Sequence, residues 1–328
     1  MRTRRSRFSG NPVLSRPSSA SATEGKHRSV LLHEATALLA IEPNDTVVDA
    51  TLGGAGHARA IARKLGKGGT LIGIDADHDA IERSRKVLEP FFAKVTKGAR
   101  MILIQANFRN LSAELAKLGI AEADKILFDL GWSSFQLDAG RGFSLKADEP
   151  LLMTYAKEPG ALTAQKIVNE WAEESIADVI FGWGEERYSR RIAKAIVERR
   201  ATKPFTTARE LAEAIYSAVP PRYRFGKIHP ATRTFQALRI AVNDELGSIS
   251  QALADGWRHL TQGGRIAVIT FHSIEDRLVK QTFRQWEEAG EGKRITKKPL
   301  TPSPEEIAEN PRARSAKLRV IQKVVHRT

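Results

Sequence analysis

The stretch Thr46–Ala50 (TVVDA) runs directly into Thr51 and the crowded glycines Gly53, Gly54 and Gly56. This constrains the fold more than any other part of the chain. Val47 and Val48 are β-branched and favour a buried strand. The glycines permit a tight turn, and helical apolar spacing resumes behind them to about Leu65. The same alternation recurs. Thr70–Asp75 (TLIGID) reads as a strand followed by a helix over Asp77–Leu88, with further strands at Met101–Gln105 and Lys125–Leu130. Short apolar runs between helical stretches predict an α/β fold whose doubly wound, mostly parallel, Rossmann-like sheet is covered on both faces. Such sheets bind ligands at the carboxyl ends of their strands.

A helix over Val30–Ile41 precedes this region. Beyond it the alternation lapses, and from Ala139 to Thr234 the periodicity is helical: Ala164–Trp171, Ser175–Phe181, Ser189–Arg200 and Ala208–Val219. A helix across Phe235–Leu260 follows, and strand signals resume at Arg265–Thr270 and Leu318–Val325. A sheet that pauses and then continues implies an insertion. The expected organisation is a basic tail over 1–26, a sheet domain from 27–138 and 235–328, and an inserted helical substrate-recognition domain over 139–234.

The net charge of +14 is unevenly placed: residues 1–30 and 290–328 each carry +6, and the body between them +2. Positive charge gathered at both ends points to a polyanion partner, most simply nucleic acid. The chain has no cysteine, which excludes disulfides, thiolate metal sites and a thiol nucleophile. The eight histidines show no metal-ligand spacing, so no metal is expected. No apolar run reaches the roughly 18 residues of a membrane span, and no membrane partner is expected. The expected location is the cytoplasm. The Arg- and Ser-rich first 26 residues read as a disordered extension or, alternatively, as an organellar transit peptide.

The glycine turn alone marks a nucleotide-type ligand. Asp75 ends the second strand about twenty residues later, where a carboxylate accepts from ribose hydroxyls. Both features suit NAD and S-adenosylmethionine alike. The spacing departs from G-x-G-x-x-G, and Asp49 at the head of the turn favours a cationic ligand end. Asp129 ends the fourth strand and faces the same crevice. It either holds the proton of an acceptor amine or only binds the cofactor. Phe108 covers an adenine face or belongs to the core; His57 caps the first helix of the turn. His272, directly after the fifth strand, reads as a substrate contact or an ordinary hydrogen-bonding histidine. Trp183–Arg191 and Arg222–Arg239 mix basic and aromatic residues in a way that suits RNA or a salt-bridged helix face.

Several longer stretches carry a family pattern: His27–Glu34, Asp49–His57, Gly73–Asp77, Asp129–Phe143, Gly184–Arg200, His229–Leu246, Gly263–Lys280 and Asn310–Arg319. Through them the chain resembles the bacterial small-subunit ribosomal RNA methyltransferase H family over residues 27–325. That family methylates N4 of a cytosine in 16S-type RNA with S-adenosyl-L-methionine. The resemblance implies cofactor contacts at Ala55, Gly56, His57, Asp75, Phe108, Asp129 and Gln136, with Asp129 catalytic. Arg141, His272 and Arg277 are the candidate substrate contacts. The implied partner is small-subunit ribosomal RNA, free or within an assembling 30S-type subunit; a homodimer is left open. The chain departs from the family where Ala55 replaces Gly and Ser29 replaces Pro. Trp132 and Phe135 stand for Val and Pro, and Pro150–Ala156 lacks the usual charges.

The leading expectation is an RNA cytosine-N4 methyltransferase. Its alternatives are a methyltransferase acting on a protein or small molecule, an RNA-binding assembly factor with a decayed site, and a nicotinamide oxidoreductase.

Overall fold

The computed structural model describes residues 28–95, 98–130, 140–155 and 160–324. The N-terminal tail and Gln136 lie outside the described residues. Seven strands form one sheet: β1 Thr46–Asp49, β2 Thr70–Asp75, β3 Arg100–Gln105, β4 Ala123–Asp129, β5 Leu260–Thr270, β6 Gly292–Arg294 and β7 Lys317–Lys323. Their order is β3-β2-β1-β4-β5-β7-β6. The first five run parallel, and β7 pairs antiparallel with both β5 and β6. The Rossmann-like expectation is met. β6 is too short and too polar to give a period-2 signal, and the sequence reading missed it.

Register places the strand ends together. Asp49 lies opposite Gly73 and Leu127, Asp75 opposite Gln105, and Asp129 opposite Ile269. Three aspartates therefore leave the sheet at the same edge. The strand order changes direction at β1 and β4, where an open α/β sheet forms its crevice.

Each face of the sheet has its own core. Leu39, Ile61, Leu71 and Leu88 pack on one side; Ile72, Phe128, Leu253 and Phe283 pack on the other. Helices α1 Leu32–Leu39, α2 Gly56–Ala62, α3 His78–Val95 and α4 Leu111–Lys117 accompany the first four strands.

The insertion folds around a third core that includes Leu151, Ile180, Ile196, Phe205 and Leu238. Its helices are α5 Ala164–Glu170, α6 Glu173–Gly184, α7 Ser189–Thr202, α8 Ala208–Ala218, α9 Pro221–Arg224 and α10 Thr232–Asn243. Thr207 and Glu210 form a reciprocal capping box that fixes the start of α8. The single helix expected across Phe235–Leu260 is two. Asp244 adopts φ 46°, a left-handed break between α10 and α11 Glu245–His259. Phe235 and Leu238 on α10 join the insertion's core. Helix α12 Ser273–Glu288 and the short α13 Pro304–Glu309 complete the described helices. No helix among the described residues is long and apolar enough to cross a membrane.

Candidate active site

The turn after β1 is tied to both neighbouring strands. Ala50 N–H donates to the Leu127 carbonyl and Leu52 N–H to that of Ile74, each at 2.9 Å. Gly53 turns left-handed at φ 51°, and its N–H donates to Asp75 Oδ2 at 2.9 Å. The other oxygen of Asp75 accepts from Asp77 N–H at 2.9 Å. One carboxylate thus joins the turn to the start of the next helix. Each of its oxygens keeps a second lone pair for a ligand hydroxyl.

Ala55 also adopts the left-handed region, at φ 62°, with its methyl fully buried. An L-residue pays about 1–2 kcal/mol for that conformation. Burying the methyl returns about 0.8 kcal/mol. At Gly56 the constraint is contact: a Cβ there would lie 2.0 Å from Ser29 Oγ. The segment Arg28–Leu31 presses on the turn from outside. Glu306 on α13 accepts from Leu31 N–H at 2.8 Å, and Asn310 donates to the Arg28 carbonyl at 3.3 Å. Two shared sequence stretches, His27–Glu34 and Asn310–Arg319, therefore meet behind the glycine turn. No local pattern could have announced this, because the pairing spans about the whole chain.

Beneath the turn sits a buried acidic group. Asp49 is 1% exposed, its Oδ1 accepts from Thr51 N–H at 3.3 Å, and its Oδ2 has no hydrogen-bond partner among the described residues. Burial pushes its pKa up to about 6; His57 pulls it down, and Asp129 and Asp75 push it further up. Burial likewise raises Asp75. Thr51 Oγ1 accepts from Asp129 N–H at 2.6 Å and ties the end of β4 to the turn. His57 is buried, with Nε2 3.2 Å from the Val30 carbonyl and Nδ1 3.5 Å from Asp129 Oδ2. Burial lowers its pKa, so it is neutral at pH 7. Sequence reasoning gave His57 a cap. The structure buries it against the aspartates instead, and Ala55 at the helix N-cap offers no side-chain cap.

Phe108 is half-buried beyond β3, edge-on to Phe128 with centroids 6.1 Å apart. The three candidate substrate contacts are each engaged by other parts of the protein. Arg141 donates to the carbonyls of Thr154 and Tyr155 at 3.2 Å, anchoring the altered loop. A cavity of about 680 Å³ opens beside it, but no residue of its lining comes from the strand ends. Arg277 pairs with Glu185, which also accepts from Ser273 Oγ at 2.7 Å, so it joins α12 to the insertion.

His272 caps α12. Its Nδ1 accepts from Glu275 N–H at 3.3 Å, and its Nε2 lies 3.0 Å from Glu275 Oε1. Glu245, His272 and Glu275 approach one another closely enough to resemble a metal site. The positive charge there is Arg239, buried and held by Glu245 at 2.7 and 2.8 Å. Tyr155 adds its hydroxyl to Glu245 at 3.0 Å, and its N–H donates to Asn243 at 2.8 Å. This network joins the altered loop to α10 and α11. Its link from Tyr155 to Asn243 and Glu245 spans 88 and 90 residues and has no local sequence signal.

The strand-end aspartates favour a cationic ligand and repel a pyrophosphate, which removes the dinucleotide reading of the turn. Sequence comparison agrees with that chemistry. The model of the MraW methylase family matches residues 24–324. The chain belongs to this family. A ribosomal RNA small subunit methyltransferase H from Brevibacillus brevis is 45% identical over 314 residues, 91% of this chain and 98% of that protein. The protein of the same name from Acetivibrio thermocellus is 45% identical over 317 residues, 92% of this chain and all of that one. A MraW methylase needs a methyl donor. The buried Asp49 oxygen without a partner fits the ammonium of S-adenosylmethionine's amino-acid end, and Asp75 keeps acceptor lone pairs that fit hydroxyl donors.

Proposed function

We propose that this chain transfers a methyl group from S-adenosylmethionine to the N4 amine of a cytosine in small-subunit ribosomal RNA. The observation that carries this reading is the convergence of Asp49, Asp75 and Asp129 around one glycine turn, with neutral His57 between them.

When bound, the cofactor supplies an electrophilic methyl on sulfonium sulfur. Asp49 receives the ammonium of its amino-acid end. Asp75 accepts from the ribose hydroxyls, and Ala55, Gly56 and His57 form the wall beneath. Phe108 covers the adenine; Gln136 is a contact that the family resemblance alone implies. Asp129 would accept a hydrogen bond from the target amine, localising its lone pair toward the methyl that the bound cofactor would supply, and would take up the proton that N4 releases on methylation. Displacement of this kind asks mainly for alignment and exclusion of water.

The insertion, which α10 carries on to Asn243, presents the RNA, with Arg141 within it and Arg277 and the His272 turn on α12 beside it holding the surfaces on which the RNA docks. Incubation with tritiated S-adenosylmethionine and small-subunit RNA or particles tests the reading. Label at N4 of a cytosine is expected; label elsewhere, or none, overturns it. The altered loop Pro150–Tyr155 favours one second reading, an RNA-binding assembly factor. Such a protein binds RNA and gives no heat with S-adenosylmethionine in calorimetry.

A further inference from the structure

The insertion carries a surface that the transfer chemistry does not use. Helix α8 ends at Ala218, Pro220 and Pro221 prevent its continuation, and the chain rises through α9 to His229. Between Glu213 and Asp244 there is no acidic residue, whereas Arg222, Arg224, Lys227, Arg233 and Arg239 are basic. At the tip, Phe225 is 84% exposed, more than any other large apolar side chain among the described residues.

This crest is held rigidly from below. Tyr223 donates its hydroxyl to buried Glu186 at 2.5 Å, and Glu186 also accepts from Tyr188 N–H at 2.9 Å. Arg224 donates to the carbonyls of Ser217 and Val219 at 2.8 and 3.3 Å. Its guanidinium lies 5.1 Å from the Tyr216 ring, which stacks on His229. Arg222 and Lys227 are exposed and have no carboxylate within ion-pair distance among the described residues.

An exposed ring on a fixed backbone, flanked by unpaired cations, is the combination that binds single-stranded nucleic acid. The ring offers a π-face to any base, and the cations track the phosphates. A protein interface of ordinary stability needs about 800 Å² per partner, centred on a larger apolar patch than Phe225, Ile228 and the partly covered Tyr216 provide. Charge decides for the polyanion.

We propose that the Arg222–His229 crest is a platform for single-stranded RNA, with an unpaired base stacked on Phe225 and the adjoining phosphates against Arg222 and Lys227. This rests on RNA being the acceptor and adds where the strand is gripped away from the strand-end aspartates.

Fluorescence anisotropy of the full chain with a labelled single-stranded RNA, at several salt concentrations, tests it. Phe225→Ala is expected to weaken binding about 10-fold, Phe225→Leu to the same degree, and Phe225→Trp to retain it. Arg222→Gln with Lys227→Gln is expected to reduce the salt slope by about 1.4, at about 0.7 per phosphate contact. Unchanged heat with S-adenosylmethionine certifies each variant as folded. Wild-type affinity in Phe225→Ala overturns the platform. So does full affinity in Phe225→Leu, or a concentration-dependent dimer that Phe225→Ala abolishes, because either assigns the crest to a protein partner. Methyl incorporation is read in parallel. If wild type incorporates no label while the Phe225 effects persist, the acceptor reading fails and the platform stands.

Discussion

His57 stands between the Val30 carbonyl, 3.2 Å from Nε2, and Asp129 Oδ2, 3.5 Å from Nδ1. A carbonyl only accepts, so Nε2 carries the proton and the neutral ring turns the bare lone pair of Nδ1 toward the carboxylate. Two acceptors facing each other at that distance form no bond until a proton arrives. In the proposed transfer the proton lost from the acceptor amine would supply one, and His57 would offer it a second acceptor beside Asp129.

Replacing His57 should consequently affect the rate more than binding. His57→Gln can keep a donor within reach of the Val30 carbonyl but removes the ring lone pair facing Asp129. Single-turnover measurement is expected to show a rate at least about 10-fold lower. The dissociation constant for S-adenosylmethionine, measured by calorimetry, should stay within about 3-fold. Loss of affinity with an unchanged bound-state rate would make His57 only a wall of the cofactor site.

Asp129→Asn separates the two roles left open for that residue. The amide is nearly isosteric, and Asp129 N–H still reaches Thr51 Oγ1, so the fold and the melting temperature should hold. If Asp129 takes the amine proton, turnover at saturating cofactor drops about 100-fold. If the residue is only a cofactor ligand, the dissociation constant rises and the saturated rate is unchanged.

Asp75→Ala tests the carboxylate that ties the turn to α3. Cofactor binding is expected to weaken by about 1–3 kcal/mol through lost charge-assisted hydrogen bonds. The melting temperature should fall as well, because Gly53 N–H and Asp77 N–H both lose their acceptor. A cofactor affinity equal to wild type would place the ribose elsewhere.

How much of this was legible before the structure depended on the range of the forces involved. The parallel sheet, the glycine turn and the strand-end aspartates follow from local patterns: Val47 and Val48 before glycines, and an acid closing each of β1, β2 and β4. β6 was invisible because three residues carry no period. The expected long helix broke at Asp244, where one left-handed residue overrides helical spacing on both sides. Site residues divided in the same way. His272, read from its place after β5 as a substrate contact or an ordinary hydrogen-bonding histidine, caps α12 with its ring against Glu275 three residues on. Arg141 and Arg277 are engaged by partners 13 and 92 residues away, and Tyr155 reaches Glu245 across 90 residues. Pairings at such separations leave no trace in a window of sequence.

The departure at Ala55 is expected to be nearly silent. Ala55→Gly relieves about 1–2 kcal/mol of left-handed strain, loses about 0.8 kcal/mol of methyl burial and adds about 0.5–1 kcal/mol of unfolded-chain entropy. These nearly cancel, so denaturant midpoints should agree within about 1 kcal/mol, and cofactor affinity should match wild type. A gain in affinity above about 10-fold would show that the alanine methyl obstructs the turn.

Asp49 gives the site a pH dependence with a definite sign. Its pKa rises from the usual carboxylate value to about 6 on folding, chiefly through burial. The native state therefore binds a proton that the unfolded chain has released between about pH 4 and pH 6. Across that window this group lowers stability as pH rises, by about 3 kcal/mol in full. Buried His57 works the other way: its lowered pKa makes native stability fall as pH drops below its unfolded value of 6.5. The two slopes oppose, so the wild-type curve alone hides both. The difference between wild type and Asp49→Asn isolates the first. In the absence of cofactor, Asp49→Asn should gain stability relative to wild type as pH rises from 4 to 7. Cofactor binding should respond inversely. Wild-type affinity should climb through pH 6 as Asp49 ionises to meet the ammonium, with proton release visible in buffers of different ionisation heat. Asp49→Asn should bind more weakly and without that rise. A wild-type affinity flat from pH 5 to pH 7 would mean that Asp49 does not receive the cofactor's positive charge.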